Sequence, residues 1–400
     1  MILKKQLKNP IFEIVQQAAD DLGYPTYVVG GWVRDLLLNR NQKIIDIDFV
    51  CVGSGFVLAK KVSEKLKNSS YKIFKNFGTA HVNYKGENYE FVGARRESYR
   101  KTSRKPIVED GTIEDDQNRR DFTINAMAIC LNASNFGKLI DPFNGQEDLN
   151  KKLLQTPLNA DTTYNDDPLR MMRAIRFATQ LDFEIEASSL ESIKKNADRI
   201  TIISNERITD ELNKIIMSNK PSKGFKLLFD TNLLHKFFPE MADLHGVESI
   251  NNHSHKDNFY HTIEVLDNIS KETEDLWLRW AAILHDIAKP QTKKYEPKNG
   301  WTFHAHDFIG GKMIPKIFRR LKLPLNDKMR YVQKLVTLHL RPIVLAQETV
   351  TDSAIRRLLF DAGDEIDDLM TLCDADITSK NPKKVKTLRL KSLQSQKIKT

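Results

Sequence analysis

Strand-like segments are confined to the first 150 residues of this 400-residue chain, and the remainder has helical periodicity. The strand-like segments are rich in β-branched and aromatic residues and are interrupted by glycines. From about residue 158 apolar side chains recur at helical spacing and strand candidates are absent. The contrast predicts an α+β multidomain fold, in which a small α/β domain with a mixed sheet precedes all-helical domains. The strand-like segments are 27–31, 43–52, 80–86 and 89–94.

Chain length and the distribution of these segments predict three domains. We expect an α/β head at residues 1–150, a helical neck at 151–220 and a helical body at 221–400. No apolar segment approaches the roughly 20 residues of a membrane helix, and the basic start of the chain lacks the apolar stretch of a signal peptide. The three cysteines are far apart and odd in number, so neither a disulfide framework nor a CxxC zinc site is expected. These features predict a cytoplasmic protein that has no membrane partner.

The formal charge of +9 lies mostly at the C-terminal end of the chain. After Asp376 there are eight basic residues and no acidic one, which leaves +1 for residues 1–376. Residues 312–341 nevertheless hold nine basic residues and one acidic residue. Such an excess is typical of proteins that bind a phosphate-rich partner, although a solvated helix face gives the same pattern. The basic tail from Lys380 is more typical of a frayed chain end. We expect RNA contacts from Lys312, Lys316, Arg319, Arg320 and Lys322.

Two carboxylates share one strand-like segment, KIIDIDFV. Asp46 and Asp48 are two residues apart, so in a strand both leave the same face. The apolar Ile45, Ile47 and Phe49 would take the other face. Two acids on one face repel each other unless a cation lies between them. Mg²⁺ prefers such oxygen ligands and leaves positions open for substrate phosphates. The spacing therefore predicts a Mg²⁺ site.

A glycine pair lies just upstream of these acids, in the sequence GGWVRD. Gly30 and Gly31 are expected at a strand-to-helix turn, where backbone N–H groups can bind an anion. Alone, the pair is most often just a turn. Together with the two aspartates it indicates a site for phosphate and metal. The sequence contains no GxxxxGK[ST] motif, which argues against a P-loop nucleotidase.

A third feature is the sequence RRDFTINAMAI at residues 119–129. Arg119 and Arg120 can donate to a triphosphate, and Asp121 can accept from a ribose hydroxyl. The same residues also fit an ordinary charged helix start, and both interpretations stay open on the residues alone.

In this order the motifs resemble the class II tRNA nucleotidyltransferases, the bacterial and eukaryotic CCA-adding enzymes with the related bacterial poly(A) polymerases. The resemblance covers about residues 25–240. It implies a nucleotidyltransferase head whose strand aspartates, Asp46 and Asp48, are catalytic and hold Mg²⁺. The segment between the strands and residue 119 is expected to be a full-length specificity loop. The implied nucleotide-binding residues of the first two motifs are Gly30, Gly31, Arg34, Arg119, Arg120, Asp121 and Asn125; Asp35 also matches the first motif, and Asp141, Gly145 and Asp148 match a hinge-like third.

The resemblance also implies a protein template that hydrogen-bonds the base of CTP or ATP. An Asp and an Arg three residues apart on a helix share a face, so one accepts from a base edge and the other donates to it. An ordinary helical salt bridge is the alternative in an unknown context. The template motif falls on Asp166, Asp167 and Arg170, with Arg173 and Arg176 following, and a fifth motif that braces it falls on Glu206, Arg207 and Glu211. The family usually has Glu at the position that Asp166 occupies in this chain.

Metal-ligand side chains cluster in the helical half, around LRWAAILHDIAKP. Their order resembles that of HD-domain phosphohydrolases over about residues 255–380. A divalent ion such as Mn²⁺, Ni²⁺, Mg²⁺ or Fe²⁺ could bridge them. A buried His can also be a satisfied polar group, and HD domains in this family are often inactive. The implied ligands are His261, His285, Asp286, His306, His339 and Asp376, with His306 preferred to His304.

The expected function is untemplated addition of C, C and A to tRNA 3′ ends from CTP and ATP, by in-line attack of the 3′-hydroxyl on the α-phosphate. The nearest alternatives are poly(A) polymerase and A-only addition to tRNA. An alternative of another class makes the HD site the principal activity, with an RNA-binding head. A noncatalytic RNA-binding protein is disfavoured because the motif residues are intact.

Overall fold

The structure, a computed structural model, describes residues 1–40, 46–75, 78–100, 103–250, 253–345 and 352–378. The chain divides into two compact units. The head unit comprises Met1–Arg170 and Phe183–Ile193. The helical unit comprises Met171–Asp182 and the chain from Lys194 onward. The basic tail from Lys380 and the predicted strand residue Ile45 lie outside the described residues.

A seven-stranded mixed sheet forms the centre of the head unit. The strands of this unit are β1 (Thr26–Val29), β2 (Asp46–Cys51), β3 (Ser70–Phe74), β4 (Thr79–Tyr84), β5 (Glu87–Gly93), β6 (Arg95–Arg100), β7 (Ser103–Asp110), β8 (Ala128–Cys130), β9 (Leu139–Ile140), β10 (Leu153–Leu154) and β11 (Glu184–Ile185). The sheet has the order β3-β4-β5-β2-β1-β8-β9. Within it β2 and β5 are parallel, and the other neighbouring pairs are antiparallel.

The alternation predicted for β2 is confirmed. Ile47 and Phe49 are fully buried, and Phe49 stacks on Phe91 of β5 with ring centroids 4.9 Å apart. Asp46 is exposed and Asp48 half-buried on the opposite face. Because side chains alternate along a strand, the apolar residues fix the register that presents both carboxylates.

The helices of the head unit cover the apolar side of the sheet and carry the later motifs. Of these, α1 and α3 pack on each other, and α3 packs on β4 and β5. The Ser54 side chain caps α3 by accepting from the Val57 N–H. The helices are α1 (Ile11–Leu22), α2 (Gly31–Leu37), α3 (Gly55–Lys65), α4 (Ile113–Asn118), α5 (Thr123–Ala126), α6 (Gly145–Lys151), α7 (Ala160–Asp166), α8 (Leu169–Leu181) and α9 (Ala187–Asn196). The last two extend into residues of the helical unit.

The expectation of a loop before residue 119 is wrong. The segment forms the antiparallel hairpin β6–β7 followed by α4. A capping box between Thr112 and Asp115 starts α4. The high charge of this segment suggests a loop, whereas its few β-branched and aromatic residues, Tyr99, Ile107 and Val108, suit strands.

The helical unit consists of packed helices with short strand pairs between them. Its helices after α9 are α10 (Asn205–Ile216), α11 (Pro221–Asp230), α12 (Leu233–Phe237), α13 (Pro239–Ala242), α14 (Asn258–Ile269), α15 (Leu276–Leu284), α16 (Lys289–Thr292), α17 (His306–Arg320), α18 (Asp327–Leu338), α19 (Leu340–Leu345), α20 (Asp352–Ala362) and α21 (Ile366–Asp376). The strands are β12 (Ser249–Ile250), β13 (His253–Ser254), β14 (Lys294–Glu296) and β15 (Gly300–Thr302). The expectation that strands are absent here is therefore wrong, although each is only two or three residues long.

The apolar helix α15 is the centre of the helical unit. It packs against α14, α18 and α21, and Trp280 within it is fully buried. Its C-terminal end therefore delivers the next residues, His285 and Asp286, to the interior. Within the described ranges no helix is both long and apolar enough to span a bilayer. The cysteines Cys51, Cys130 and Cys373 are free and buried.

Candidate functional site

Three carboxylates meet on one face of the head sheet. Asp46 and Asp48 lie on β2, and Glu90 on the parallel neighbour β5 is in register with Asp48. Aligned residues of paired strands face the same side. The pKa of Asp48 is raised to about 6, first because the group is buried and then because Glu90 and Asp46 are negative, with Arg120 opposing. The cluster therefore lacks sufficient positive charge, and the oxygen donors suit a divalent cation.

Sequence analysis missed Glu90. It lies in the strand segment YEFVGA, where it alternates with buried apolar residues as a surface residue does. Its place beside Asp48 depends on the parallel pairing of β2 and β5, which has no local signal in the sequence. On its other side, Glu90 Oε2 is 3.5 Å from Nε2 of His81 on β4.

The glycine turn lies directly against this cluster. Gly30 precedes α2 with φ +75°, a conformation that glycine adopts without strain. A Cβ on Gly30 would be 3.2 Å from Nη1 of Arg120 and 3.5 Å from Oδ2 of Asp48. The glycine thus allows a guanidinium and a carboxylate to approach the same backbone.

The two motif arginines are held by one buried acid, Asp116, which sequence analysis also missed. Arg119 binds Oδ1 of Asp116 through Nε at 3.0 Å and Nη2 at 2.5 Å. Arg120 binds Oδ2 through Nε at 3.0 Å and Nη2 at 2.9 Å. Burial would raise the pKa of Asp116, but the two guanidinium groups outweigh burial and hold the pKa below its usual value. The acid therefore holds each arginine through two donor groups that share one of its oxygens.

A second buried network links the first two motifs. Arg34 donates from Nε and Nη2 to the neighbouring carboxylate of Asp35, and from Nη1 to the amide oxygen of Asn125 at 2.9 Å. Asn125 in turn donates to Asp121 Oδ1 at 3.0 Å. All four residues are buried. The network orients Asn125 and Asp121.

The hinge-like third motif forms a helix start. Asp141 accepts from the backbone N–H of Gly145 at 2.7 Å and of Gln146 at 2.9 Å, which caps α6. A Cβ on Gly145 would be 2.6 Å from the carbonyl oxygen of Thr123, so glycine allows α5 and α6 to touch. Asp148 accepts from the Thr123 hydroxyl at 2.5 Å.

The predicted template residues lie at the junction of α7 and α8. Asp166 ends α7, and Asp167 has extended backbone with φ −135°. The carboxylate of Asp167 accepts from the Leu169 N–H at 3.2 Å, so it caps α8. The expectation that Asp167 and Arg170 share a helix face is therefore wrong, because Asp167 precedes the helix. Arg170 Nη2 donates to the carbonyl of Arg119 at 2.5 Å, which joins the template motif to the second motif.

The remaining template positions belong to the helical unit. Arg176 on α8 lies 2.7 Å from Glu211 of α10, and its guanidinium is 3.9 Å from the Phe177 ring centroid. Glu211 is nearly buried and also accepts from Lys214. The bracing predicted for Glu211 thus corresponds to an ion pair between α10 and α8. Arg173 is half-buried on α8, with its guanidinium 5.5 Å from the Phe177 centroid; Glu206 is exposed and Arg207 half-buried in the first turn of α10.

The predicted HD residues converge in the interior of the helical unit. They come from α14 (His261), the end of α15 (His285, Asp286), the start of α17 (His306), the end of α18 (His339) and the end of α21 (Asp376). Asp286 is central: its oxygens lie 3.2 Å from Nε2 of His285 and 3.2 Å from Nε2 of His306. Two groups of ligand atoms within 4.8 Å of one another share Asp286, one with His261 and His285 and the other with His306 and His339. His304 is exposed and belongs to neither group.

The histidine tautomers suit metal binding. Nδ1 of His285, His306 and His339 each lies 2.7 Å from the backbone carbonyl three residues earlier. A carbonyl only accepts, so Nδ1 must carry the proton. Nε2 of all three is buried and lies 3.2 to 3.9 Å from an oxygen of Asp286, but none of the three makes a well-aligned hydrogen bond within the described part of the chain. Three ring nitrogens that converge on one carboxylate without well-aligned hydrogen bonds fit a bound cation.

The acids of this centre favour a positive charge on His285 but not on His339. Burial lowers the pKa of His285, but Asp286 and Asp376 outweigh it and raise the pKa to about 10. Burial and the neighbouring His285 lower the pKa of His339 to about 4. Lys289 Nζ is 2.6 Å from Asp286 Oδ2 and supplies one cation.

The basic side chains of residues 312–322 differ in exposure and in partners. Lys312, Lys316, Arg319 and Lys322 are exposed, as RNA contacts require. Arg320 instead forms a bidentate ion pair with Glu240 inside the helical unit. Its backbone carbonyl also accepts from Asn205 at 2.8 Å, so this residue has a structural role.

Family comparisons cover most of the chain. A model described as the poly A polymerase head domain matches residues 26–155. One described as the probable RNA and SrmB-binding site of polymerase A matches residues 182–244. An HD domain model matches residues 258–381.

Among similar proteins, the multifunctional CCA protein of Pseudomonas paraeruginosa is 32% identical over 308 residues, 74% of this chain and 70% of that protein. The A-adding tRNA nucleotidyltransferase of Deinococcus radiodurans is 34% identical over 272 residues, 66% of this chain and 60% of that protein. The CCA-adding enzyme of Lactobacillus johnsonii is 37% identical over 55% of this chain and 53% of that protein. The chain thus spans just over half the length of the latter two relatives.

Solved structures of CCA-adding enzymes have a similar fold. The Thermotoga maritima CCA-adding enzyme complexed with tRNA has a TM-score of 0.69 at 22% identity, over 99% of this chain and 86% of that one. A CCA-adding enzyme complexed with ATP has a TM-score of 0.68 at 23% identity, over 99% and 86%. The chain therefore belongs to the class II tRNA nucleotidyltransferases, the family of bacterial CCA-adding enzymes and poly(A) polymerases, and joins their head domain to an HD domain.

Proposed function

We propose that the protein adds C, C and A to the 3′ end of tRNA, using CTP and ATP and no nucleic-acid template. The observation that carries the proposal is the acidic cluster of Asp46, Asp48 and Glu90 beside the Gly30 turn and the fixed guanidinium of Arg120. This arrangement puts metal ligands and a phosphate donor at one site.

Both the nucleotidyltransferase and HD families depend on divalent metal ions. In the head, the raised pKa of Asp48 supports binding of a cation, because the negative charge of the acids exceeds the positive charge that Arg120 provides. Asp46 and Asp48 would hold Mg²⁺, with Glu90 as a further oxygen donor. Bound there, Mg²⁺ would act as a Lewis acid toward the RNA 3′-hydroxyl and the triphosphate.

The chain's own residues bind and orient the substrates. Arg120 and Arg119, held by Asp116, donate to the triphosphate, and the backbone at Gly30 and Gly31 provides N–H groups. The network through Arg34 holds Asn125 and Asp121 to bind the ribose. The 3′-hydroxyl attacks the α-phosphorus in line, the bond to the β-phosphate oxygen breaks, and pyrophosphate leaves.

Base selection is assigned to Asp166, Asp167 and Arg170. Asp167 can accept from the cytosine or adenine amino group, and Arg170 can donate to a ring acceptor. The contact of Arg170 with the backbone of Arg119 supports this role, since it ties base recognition to the phosphate donors. Arg173 and Arg176 extend the template helix, and Glu211 holds Arg176.

CCA addition is preferred to A-only addition because two of the three relatives above are named for CCA and the third for A addition. The hairpin β6–β7 occupies the position expected for the specificity element, so the chain is not shortened there.

The test compares Asp46→Asn and Asp48→Asn with the wild type. A tRNA ending at the discriminator base is incubated with CTP, ATP and Mg²⁺, and tRNA affinity is measured separately. Each variant should lose extension at least 1,000-fold with tRNA affinity unchanged. Extension by both variants at the wild-type rate would overturn the assignment.

We also propose a second activity, metal-dependent phosphohydrolysis at the HD centre. The specific observation is that the buried Nε2 atoms of His285, His306 and His339 converge on Asp286 without well-aligned hydrogen bonds among the described residues. His261, His285, Asp286, His306, His339 and Asp376 would hold Mn²⁺, Ni²⁺, Mg²⁺ or Fe²⁺, which would supply an activated water. The name of the multifunctional relative supports more than one activity. A suitable substrate is a 2′,3′-cyclic phosphate or phosphomonoester on an RNA end.

The two sites can be separated by substitution. Hydrolysis of a 2′,3′-cyclic phosphate should persist in Asp46→Ala and be lost in Asp286→Ala. The variant lacking hydrolysis should still extend tRNA. Hydrolysis that survives in Asp286→Ala would contradict the HD assignment.

A further inference from the structure

A basic cavity lies on the surface of the helical unit, between α17, α18, α19 and α20. Its volume is about 660 Å³. Its lining includes four cationic side chains and one acidic one. The cations are Lys312, Arg330, Lys334 and Arg341. The cavity is therefore suited to an anion.

Three of the cations follow one wall, at intervals of four and seven residues along the chain. Arg330 and Lys334 are four residues apart on α18, a rise of about 6 Å, and Arg341 follows on α19 after two more turns. A row at this spacing offers successive positive charges along a line, as a nucleic-acid backbone requires. A single phosphate would need convergent donors instead.

The opposite wall is formed by α17 and presents an aromatic ring. Phe308 is 54% exposed, and Lys312 Nζ lies over one face of its ring, 4.1 Å from the centroid, so a base would stack on the other face. An exposed aromatic beside cations is the usual combination for binding unpaired nucleotides, where a base stacks on the ring. The same wall continues with Lys316 and Arg319, exposed at helical spacing from Lys312.

The floor of the cavity is rigid. A Cβ on Gly311 would be 2.3 Å from the Thr337 hydroxyl, so α17 and α18 are in close contact there. Gln333 closes this contact by donating to the Gly311 carbonyl at 2.9 Å. The walls are thus held at a fixed separation.

The acids that pair with the cations differ in exposure. Arg330 pairs with Asp327 at 2.6 Å, but the two side chains are 70% and 91% exposed. Exposed pairs of this kind contribute little and exchange readily for a phosphate. Lys334 and Arg341 pair with Glu365 and Asp361, whose side chains are only 29% and 32% exposed, so these two cations are less available to a phosphate than Arg330. Lys312 contacts no acid among the described residues within ion-pair distance.

We propose that this groove binds the phosphate backbone of the RNA substrate, with Lys312 and Arg330 as contacts and Phe308 as a stacking surface. The inference rests on the proposed function in one respect, the identification of the bound RNA as tRNA. It assigns RNA contact to the HD domain, beyond the segment 182–244 that matches the RNA-binding model.

The test uses the full chain with the double substitution Lys312→Glu and Arg330→Glu. The matched control is Lys271→Glu paired with Lys298→Glu, which makes a charge change of the same sign at exposed residues outside the cavity lining and outside the basic segment 312–322. Affinity for a tRNA lacking CCA is measured by fluorescence anisotropy at several salt concentrations. Circular dichroism confirms that each variant is folded, and the milder Lys312→Gln and Arg330→Gln pair is measured beside it.

The groove variant should weaken tRNA binding at least ten-fold and reduce the salt dependence by about one unit of slope per lost phosphate contact. Its maximal rate of nucleotide addition at saturating tRNA should be unchanged. Affinity and slope equal to those of the control would overturn the proposal. Loss of pyrophosphate binding without loss of tRNA binding would also overturn it, since the cavity would then take a small anion. If wild type binds tRNA through the groove but adds no nucleotide, the proposed function fails and this inference stands.

Discussion

Asp116 binds Arg120 through two hydrogen bonds of 3.0 and 2.9 Å, and it is fully buried. The pair keeps one guanidinium against the Gly30 turn and beside Asp48. Arg119 occupies the second oxygen of the same acid. One buried carboxylate therefore positions both arginines that we assign to the triphosphate.

Substitution Asp116→Asn should weaken CTP binding at least ten-fold. The amide removes the negative charge that holds two largely buried guanidinium groups, and breaking such a pair costs about 3 kcal/mol. CTP affinity is measured by fluorescence titration and stability by urea unfolding. The control is Glu114→Gln, an exposed acid two residues earlier on the same helix. Equal CTP affinities in the two variants would contradict the role of Asp116.

Gly30→Ala should abolish nucleotide addition while Gly23→Ala retains it. Both glycines have positive φ, but Gly23 is left-handed helical with ψ 24°, for which strain is about 1 to 2 kcal/mol. Gly30 has ψ −138°, so its substitution carries the larger backbone strain. Only the Cβ at Gly30 meets Arg120 and Asp48, whereas nothing lies within 4 Å of one at Gly23. The readouts are the rate of addition and the unfolding midpoint. Similar activities at similar stability losses would show that the contacts at Gly30 are unimportant.

Asp48→Asn should stabilise the metal-free protein at neutral pH. The folded pKa of Asp48, about 6, is above its ordinary 3.8, so ionisation costs stability as pH rises between these values. The variant avoids this cost, which amounts to at most about 3 kcal/mol above pH 6. Below pH 4 both states are protonated and the difference should vanish. Urea unfolding in EDTA at pH 4, 6 and 8 measures the difference in stability between variant and wild type. A variant no more stable than wild type at pH 8 would contradict the claim that the acids lack sufficient positive charge around them.

His306→Ala should lower the content of tightly bound divalent metal, and His304→Ala should not. His306 has a buried Nε2 3.2 Å from Asp286 Oδ1, while the His304 side chain is 78% exposed. After loading with Mn²⁺ and dialysis, the metal is counted by mass spectrometry. Equal metal content in the two variants would remove His306 from the centre.

Local sequence pattern was sufficient for the parts of the site that lie within one segment. The alternation of Asp46 and Asp48 with buried Ile47 and Phe49 follows from strand geometry, and the strand-like segments became β1, β2, β4 and β5. The head, the helical body and the HD domain were also expected correctly.

Residues that depend on long-range pairing were missed. Glu90 joins the cluster only because β2 and β5 are parallel neighbours, and Asp116 is one of three acids in its helix, of which burial selects one. Asp167 was placed on a helix because helical spacing continues through the Asp167–Arg170 segment, yet the residue before Pro168 is disfavoured in helical conformation. Tertiary context therefore decided each of these positions.

The most direct test of the central claim is the length and sequence of the product made on a tRNA that ends at the discriminator base. The protein and Mg²⁺ are supplied with CTP alone, ATP alone or both, and the product is read by mass spectrometry. With both nucleotides the account predicts three added residues, C, C and A, and no longer product. A ladder of A residues, a single A, or no extension by the folded protein would contradict it.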